Sequence, residues 1–150
     1  MPIVAGVDQS GRAEAVINEG RALAEGLGVD LHVVHVEKPS ADLSNISEGW
    51  GETPTEPPQP VLSVEEVRER AMRIAAEIAD SVDDHGVVKT IGLVGNPAEE
   101  LLTYSREHNA EYIVVCSRKR SKIGKVLFGS VTQSLLLSAD RPIVAIPLTD

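Results

Sequence analysis

The chain is 150 residues long, has a formal net charge of −9, and contains 42% hydrophobic but only 3% aromatic residues. This length is typical of one domain, so residues 1–150 are expected to fold around a single aliphatic core. The acidic charge argues against nucleic-acid binding, and no apolar run approaches the roughly 18 residues that a membrane span needs. The N-terminus has no signal-peptide features and Cys116 is the single cysteine, which favours a cytoplasmic protein without intramolecular disulfides.

Five short apolar segments are predicted to be strands, and they alternate with four segments that have helical signals. The strands are expected at 3–7, 31–36, 87–94, 112–115 and 142–147, and the helices at 13–27, 64–82, from 97 onward and at 129–138. Ser10, Gly28, Ser63 and Asn96 stand where helix caps are expected. Strict alternation of apolar strands with helices predicts an α/β fold, with an open parallel sheet that is doubly wound.

Residues 37–63 interrupt this alternation. They are rich in proline, serine, threonine and glutamate and show no hydrophobic periodicity, so a long proline-rich loop within the domain is expected. Two interpretations of this loop stay open, a functional segment and a disordered one.

The segment from Ser117 to Ser130 is the strongest candidate for a binding site. It contains five of the chain's fourteen basic residues within eight positions, namely Arg118, Lys119, Arg120, Lys122 and Lys125. A helix is predicted to begin directly after it at Gly129 and Ser130, and a helix N-terminus offers unpaired N–H groups and a partial positive charge. The hydroxyls of Ser130 and Thr132 are further donors, so the segment is interpreted as a cradle for a phosphate or another small anion. A solvated basic loop followed by an ordinary helix cap is the alternative.

Catalytic signals are missing from the sequence. It shows no nucleophile–base pair, no paired carboxylates at a strand end, no Walker lysine motif and no metal-ligand spacing among its histidines and its cysteine. His35 is interpreted as a core histidine with satisfied hydrogen bonds. We therefore expect no catalytic residues and no metal ligands, and the protein is not expected to be a dedicated hydrolase.

Several segments in the same order resemble the universal stress protein family. They are the opening Ile-Val-Ala-Gly-Val-Asp-Gln-Ser, the strand Leu-His-Val-Val-His-Val, the turn Gly-Asn-Pro-Ala-Glu-Glu, and the closing Gly-Ser-Val-Thr-Gln-Ser with Arg-Pro-Ile-Val-Ala-Ile-Pro. The resemblance covers nearly the whole chain outside 37–63. It implies a Rossmann-like sheet of five strands in the order 3-2-1-4-5.

The resemblance also implies a nucleotide site. Family members that bind ATP carry Gly-x-x-Gly, then nine residues, then Gly-Ser or Gly-Thr. This chain keeps the spacing, but Cys116 and Lys119 replace the first two glycines. The residues thereby implicated in nucleotide binding are Asp8 and Val36 on the adenosine side, and Ser117, Lys119, Arg120, Gly129, Ser130 and Val131 around the phosphates. For Asp8, the alternative is a structural role in which its carboxylate caps the turn that follows.

The function that follows from the resemblance is that of a nucleotide-binding regulatory protein in the stress response. It would bind ATP or a related phosphate, with Mg²⁺, and act by binding rather than turnover. A homodimer through the fifth strand, Pro142 to Pro147, is implied as well. Two alternatives remain: an interaction module of the same fold that has lost nucleotide, which the replaced glycines favour, and a slow ATP hydrolase.

Overall fold

The computed structural model describes residues 1–9, 11–39, 63–82, 88–117 and 129–147. Nine elements alternate along the chain: β1 (Ile3–Val7), α1 (Ala13–Leu27), β2 (Leu31–Glu37), α2 (Val64–Ser81), β3 (Val88–Val94), α3 (Pro97–Glu107), β4 (Tyr112–Ser117), α4 (Ser130–Ser138) and β5 (Ile143–Pro147). The predicted α/β alternation is therefore confirmed. Most of the proline-rich segment and the whole cationic stretch 118–128 lie outside the described residues.

The five strands form one parallel sheet in the order β3-β2-β1-β4-β5, as the family resemblance implied. The central strand β1 is buried along nearly its whole length, because helices cover both faces of the sheet. β5 lies at the edge and its residues are only half-buried, apart from the exposed Pro147. The edge position agrees with the prolines that flank this strand, since proline cannot donate to a ladder.

Two apolar clusters fill the space between the helices and the sheet. One is formed on the α1 and α2 face around Ile3, Ala5, Val16, Ile17, Val33 and Val114. The other is formed on the α3 and α4 face around Val4, Val34, Leu101, Ile113, Val115 and Leu135. Neighbouring residues of each central strand thus enter opposite clusters, which is the alternation that a strand buried on both faces requires.

The helix ends follow the local signals in the sequence. Ser63 forms a capping box with Glu66 at the start of α2, and the side chain of Asn96 accepts a bond from the N–H of Glu99 at the start of α3. Gly28 ends α1 in the left-handed conformation, with φ at 67°. No helix within the described ranges is long and apolar enough to cross a membrane.

Gly92 determines how closely α2 approaches the sheet. A Cβ atom added to this buried β3 residue would overlap the backbone nitrogen of Met72 and lie 2.5 Å from the carbonyl carbon of Ala71. The backbone of α2 therefore lies directly on the strand at this point, which only glycine permits.

Candidate functional site

A cleft opens at the carboxyl edge of the sheet, where β1 and β4 lie side by side. The helices that follow these two strands pack on opposite faces, so the chain leaves the sheet in two directions here. Such a switch point is the usual ligand site of open α/β sheets. The cleft has a volume of about 130 Å³ and is lined by Gly6, Val7, Asp8, Arg12, Ala13, Val16, Val34, Val36, Pro97, Leu101, Val115, Cys116, Val131 and Thr132.

Three of the residues implicated in nucleotide binding line this cleft together. Asp8 follows β1, Val36 lies near the end of β2, and Val131 belongs to the first turn of α4. Gly129 is the N-cap of α4 and Ser130 its first residue, so both directly precede Val131 at the same helix end. Lys119 and Arg120 lie outside the described residues, and their role stays a prediction.

Two hydroxyls that were expected near a phosphate form bonds within the protein instead. Ser117 is 2% exposed, and its Oγ donates to the carbonyl oxygen of Ile146 at 3.0 Å. Thr132 is also buried, and its Oγ1 donates to the carbonyl oxygen of Cys116 at 3.0 Å. A hydroxyl has one proton to donate, so the expectation that Thr132 donates to an anion is wrong in this structure. The hydroxyl of Ser117 likewise bonds across the sheet rather than into the cleft.

The hydroxyl of Thr132 has a structural role that matters for the site. Its bond to the carbonyl oxygen of Cys116, near the end of β4, holds the first turn of α4 beside the end of that strand. The N-terminal N–H groups of α4 are thereby held at the carboxyl edge, close to Val131 at the cleft wall. The N–H groups of a first helical turn have no partner within the helix and favour an anion.

Arg12 is a cleft residue that sequence reasoning missed. The prediction that Ser10 caps α1 is wrong, because the helix begins at Ala13 and Arg12 is its N-cap. Arg12 makes no side-chain cap bond, although Ser, Thr, Asp and Asn are the usual residues at that position. Its guanidinium is charged at every ordinary pH, so it brings a fixed positive charge to a mostly apolar cleft. An arginine at an unusual N-cap position directly after a strand end is the signal that could have identified it.

Cys116 lines the cleft, at a position where the resemblance implies a glycine. Its Sγ donates to the carbonyl oxygen of Ser117 at 3.1 Å. Burial raises the pKa of this thiol, and Asp8 raises it further, although Arg12 acts in the opposite direction. The side chain is therefore a neutral thiol at neutral pH and adds bulk to the cleft wall without adding charge.

Gly6 leaves room at the floor of the cleft. A Cβ atom there would lie 3.0 Å from Cδ1 of Leu101 and 3.3 Å from Cγ1 of Val115. Both side chains line the cleft, so any larger residue at position 6 would push against its apolar wall.

Hydrogen bonds of His35 and Glu37 connect the end of β2 to β1, to α2 and to the turn after β3. Nδ1 of His35 lies 2.9 Å from the carbonyl oxygen of Val7, and its Nε2 lies 2.7 Å from Oε1 of Glu37. Arg70 of α2 donates to Oε2 of Glu37 at 2.9 Å, and the N–H of Gly95 donates to the Glu37 carbonyl oxygen at 2.9 Å. The expectation that His35 is a core histidine with satisfied hydrogen bonds is confirmed.

A cluster of three or more His, Cys, Asp or Glu side chains able to hold a metal ion does not occur among the described residues. From the residues that the structure describes, the cleft offers apolar walls, the Asp8 carboxylate, the Arg12 guanidinium and the N-terminus of α4. These groups suit a ligand with an apolar ring, hydroxyl groups and an anionic end.

Comparison with known proteins gives a consistent result. The model of the universal stress protein family matches residues 1–147. The stress response protein NhaX of Bacillus subtilis (strain 168) is 27% identical over 117 residues, which cover 76% of this chain and 70% of NhaX. A universal stress protein structure from Archaeoglobus fulgidus is 28% identical with a TM-score of 0.66, over 97% of this chain and 98% of that one. The structure of the universal stress protein from Archaeoglobus fulgidus in complex with dAMP is 25% identical with a TM-score of 0.61, over 97% of each chain.

Proposed function

The chain belongs to the universal stress protein family, and from that premise we propose that it is a stress protein whose cleft between β1 and β4 binds an adenine nucleotide. The observation that carries the proposal is the meeting of Asp8, Val36 and Val131 in one cleft at the switch point of the sheet. A solved relative of the same fold binds dAMP, which supports the nucleotide class.

The chemistry of the cleft suits the parts of a nucleotide. The valines and Leu101 offer apolar contact to a base, and the Asp8 carboxylate can accept hydrogen bonds from ribose hydroxyls. The N-terminus of α4 at Gly129–Val131 and the guanidinium of Arg12 favour the phosphates. ATP, with Mg²⁺ carried on its phosphates, is the proposed ligand, and Lys119 and Arg120 are proposed to add phosphate contacts.

Binding rather than turnover is proposed as the activity. In the part of the chain that the structure describes, the residues lining the cleft include no histidine or second carboxylate beside Asp8 that could serve as a general base. The presence or absence of bound nucleotide would then act as a signal to a partner protein. We also propose a cytoplasmic location, because the thiol of Cys116 is free and suits a reducing compartment.

A homodimer through β5 is part of the proposal. Ile113 donates its N–H to the carbonyl oxygen of Pro142 at 3.1 Å, so alternate residues of β5 bond to β4. By the alternation of a parallel ladder, Ile143 and Ala145 direct their backbone groups away from β4. Leu136 and Leu137, on the helix that precedes β5, are 46% and 80% exposed. A second copy of the chain that pairs along this edge would provide hydrogen-bond partners for the outward backbone groups of β5. It would also cover the exposed side chains of the two leucines.

The nucleotide proposal is tested by thermal unfolding with ATP and Mg²⁺. At a ligand concentration about 100 times Kd, binding stabilises the folded state by about 2.7 kcal/mol, which raises Tm by about 5–10 °C for a domain of this size. Asp8→Asn is expected to weaken the affinity about tenfold, since it removes a charged hydrogen-bond acceptor. Asp30→Asn is the matched control, because Asp30 precedes β2 at the opposite edge of the sheet and should leave the shift unchanged.

The same experiment decides the second candidate function. The bulk of Cys116 in the cleft wall favours an interaction module that binds no nucleotide. No shift of Tm at millimolar ATP or dAMP would overturn the nucleotide proposal and support that module.

A further inference from the structure

A charged group that includes a buried histidine lies next to the end of β1, and its residues do not line the cleft. It consists of His35 on β2, Glu37 at the end of the same strand, and Arg70 on α2. His35 is 5% exposed, and both of its ring nitrogens have close partners. We call these three residues the His35 group.

The hydrogen bonds fix the protonation state of the imidazole. The carbonyl oxygen of Val7, 2.9 Å from Nδ1, can only accept, so Nδ1 must carry a proton. The carboxylate of Glu37, 2.7 Å from Nε2, can also only accept, so Nε2 must carry a proton as well. Both ring nitrogens of His35 thus stand in donor positions, which is the arrangement of a doubly protonated ring.

This reasoning requires that Glu37 is ionised, and its surroundings support that. Burial by itself would raise the pKa of Glu37, but the hydrogen bonds from His35 and Arg70 outweigh it and hold the pKa below its ordinary value. The guanidinium of Arg70 is a permanent donor at 2.9 Å from Oε2. One carboxylate thus lies between two cations, and each of its oxygens accepts a charged hydrogen bond.

The fold explains how Arg70 comes within reach. His35 is paired with Gly92 in the neighbouring strand, and the backbone of α2 lies on Gly92 at Ala71 and Met72. Arg70 is the residue before this contact, so the close approach of α2 brings its side chain to the end of β2. β1 contributes the Val7 carbonyl to the surroundings of His35, and β3 contributes Gly92. Glu37 and Arg70 line a groove beside α2, and the charged side chains of Arg73 and Glu77 line the same groove.

We propose that His35 is a positioning residue for the nucleotide site: its doubly protonated ring holds the last carbonyl of β1, and with it the Val7–Asp8 peptide that presents Asp8 to the ligand. Glu37 and Arg70 hold the ring in turn. The inference rests on the proposed nucleotide function, which it deepens by adding a proton requirement. When the ring loses one proton, either the bond to Val7 or the bond to Glu37 must be lost, and Asp8 loses part of its support.

The protonation state can be measured without any nucleotide. Nitrogen-15 NMR of the wild-type protein distinguishes an imidazolium, with two similar protonated nitrogens, from a neutral ring with one bare nitrogen. We expect the imidazolium signature for His35 at neutral pH, and Glu37→Gln should convert it to the neutral signature. A neutral ring in the wild type overturns the inference.

The effect on the site is measured as nucleotide affinity against pH by calorimetry, with ATP and Mg²⁺. The wild type should bind more tightly at the acidic end of the pH range than at the basic end, because only a doubly protonated ring can donate to both Val7 and Glu37. His35→Gln should bind about tenfold more weakly at the acidic end, because a charged hydrogen bond is lost there, and its affinity should change less with pH. Since ATP itself titrates, the difference between the wild type and the variant is the quantity that counts.

Two matched controls separate positioning from general damage. His32→Gln changes a buried histidine of the same strand on the opposite face of the sheet, and it should keep the wild-type pH profile. Arg70→Met should weaken binding about threefold, whereas Arg68→Met, which removes an exposed arginine from the same helix, should not.

The outcomes separate this inference from the function on which it rests. A wild type that binds no nucleotide overturns the proposed function, and the inference with it. A wild type that binds, with parallel pH profiles for the wild type and His35→Gln, overturns the inference alone. If His35→Gln does not fold, Glu37→Gln and Arg70→Met give the same comparison.

Discussion

Cys116 lines the candidate cleft, and the neutrality of its thiol decides how it affects an anionic ligand. Burial raises the pKa of this thiol, so at neutral pH it does not repel a phosphate. It occupies volume at the wall, while Arg12 on the neighbouring helix adds a positive charge to the same cleft. The bulk of Cys116 is thus accompanied, in the same cleft, by a charged side chain that favours an anion.

A second histidine, His32, makes the stability of the protein depend on pH. Its Nδ1 lies 2.7 Å from the hydroxyl oxygen of Tyr104, whose ring stacks on that of His108 at 3.9 Å. Burial lowers the pKa of His32 below its ordinary value, and the charges of Lys89 and His108 lower it further. The folded state therefore disfavours the protonated ring.

The sign of the pH effect follows from this lowered pKa. Above about pH 6.5 the ring is neutral in both the folded and the unfolded state, so the stability is fully present. As the pH falls below that value, the unfolded chain takes up a proton first and the free energy of unfolding decreases. The free energy of unfolding of the wild type relative to that of His32→Gln, measured in urea, should decrease between about pH 7 and about pH 5. Parallel profiles for the two proteins would contradict the assignment.

Among the elements, the pair of α2 and β3 depends most clearly on a single residue. Gly92 allows the backbone of α2 to lie on β3, and the same approach places Arg70 beside Glu37. The close packing of α2 on β3 and the bond between Arg70 and Glu37 therefore both depend on Gly92.

Gly92→Ala is expected to destabilise the protein by about 3 kcal/mol, because the added carbon meets backbone atoms that cannot move independently. Gly26→Ala is the matched control. Gly26 lies in α1, and a Cβ there meets nothing within 4 Å, so alanine should raise the stability by about 0.5 kcal/mol through its helix propensity. Denaturant unfolding measures both values. Equal effects of the two substitutions would contradict the close contact between α2 and Gly92.

At the scale of the whole molecule, the fold could be predicted from the sequence because each element has a local signal. The strands are short apolar runs, and Gly28, Ser63 and Asn96 mark helix ends where the structure has them. The candidate cleft lies where the parallel strands end at one edge of the sheet, and Asp8 and Val36, which the family resemblance implicated, both line it.

Contacts between distant residues could not be predicted in the same way. The hydroxyl of Ser117 donates to a carbonyl 29 positions away, and nothing near Ser117 in the sequence indicates that partner. His35 stood out as a polar residue within an apolar strand, but its partners Val7 and Arg70 lie on other elements. Such pairings depend on the sheet order and on how closely α2 approaches.

The proposed dimer is a property of the whole molecule, and sedimentation velocity tests it. The wild type should sediment at twice the monomer mass. Ala145→Pro should shift it towards monomer, because the proline removes an N–H that points away from β4. Leu137→Ser should act in the same direction, whereas Leu27→Ser, an exposed leucine at the end of α1, should leave the dimer intact. A monomeric wild type would rule out the β5 interface.

A crystal structure of the protein grown with ATP and Mg²⁺ tests the central proposal most directly. We expect density for the base and ribose in the cleft beside Val36 and Asp8, with the phosphates at the N-terminus of α4 near Gly129 and Val131. Nucleotide density at another place, or a cleft that stays empty at a saturating concentration of nucleotide, would contradict it.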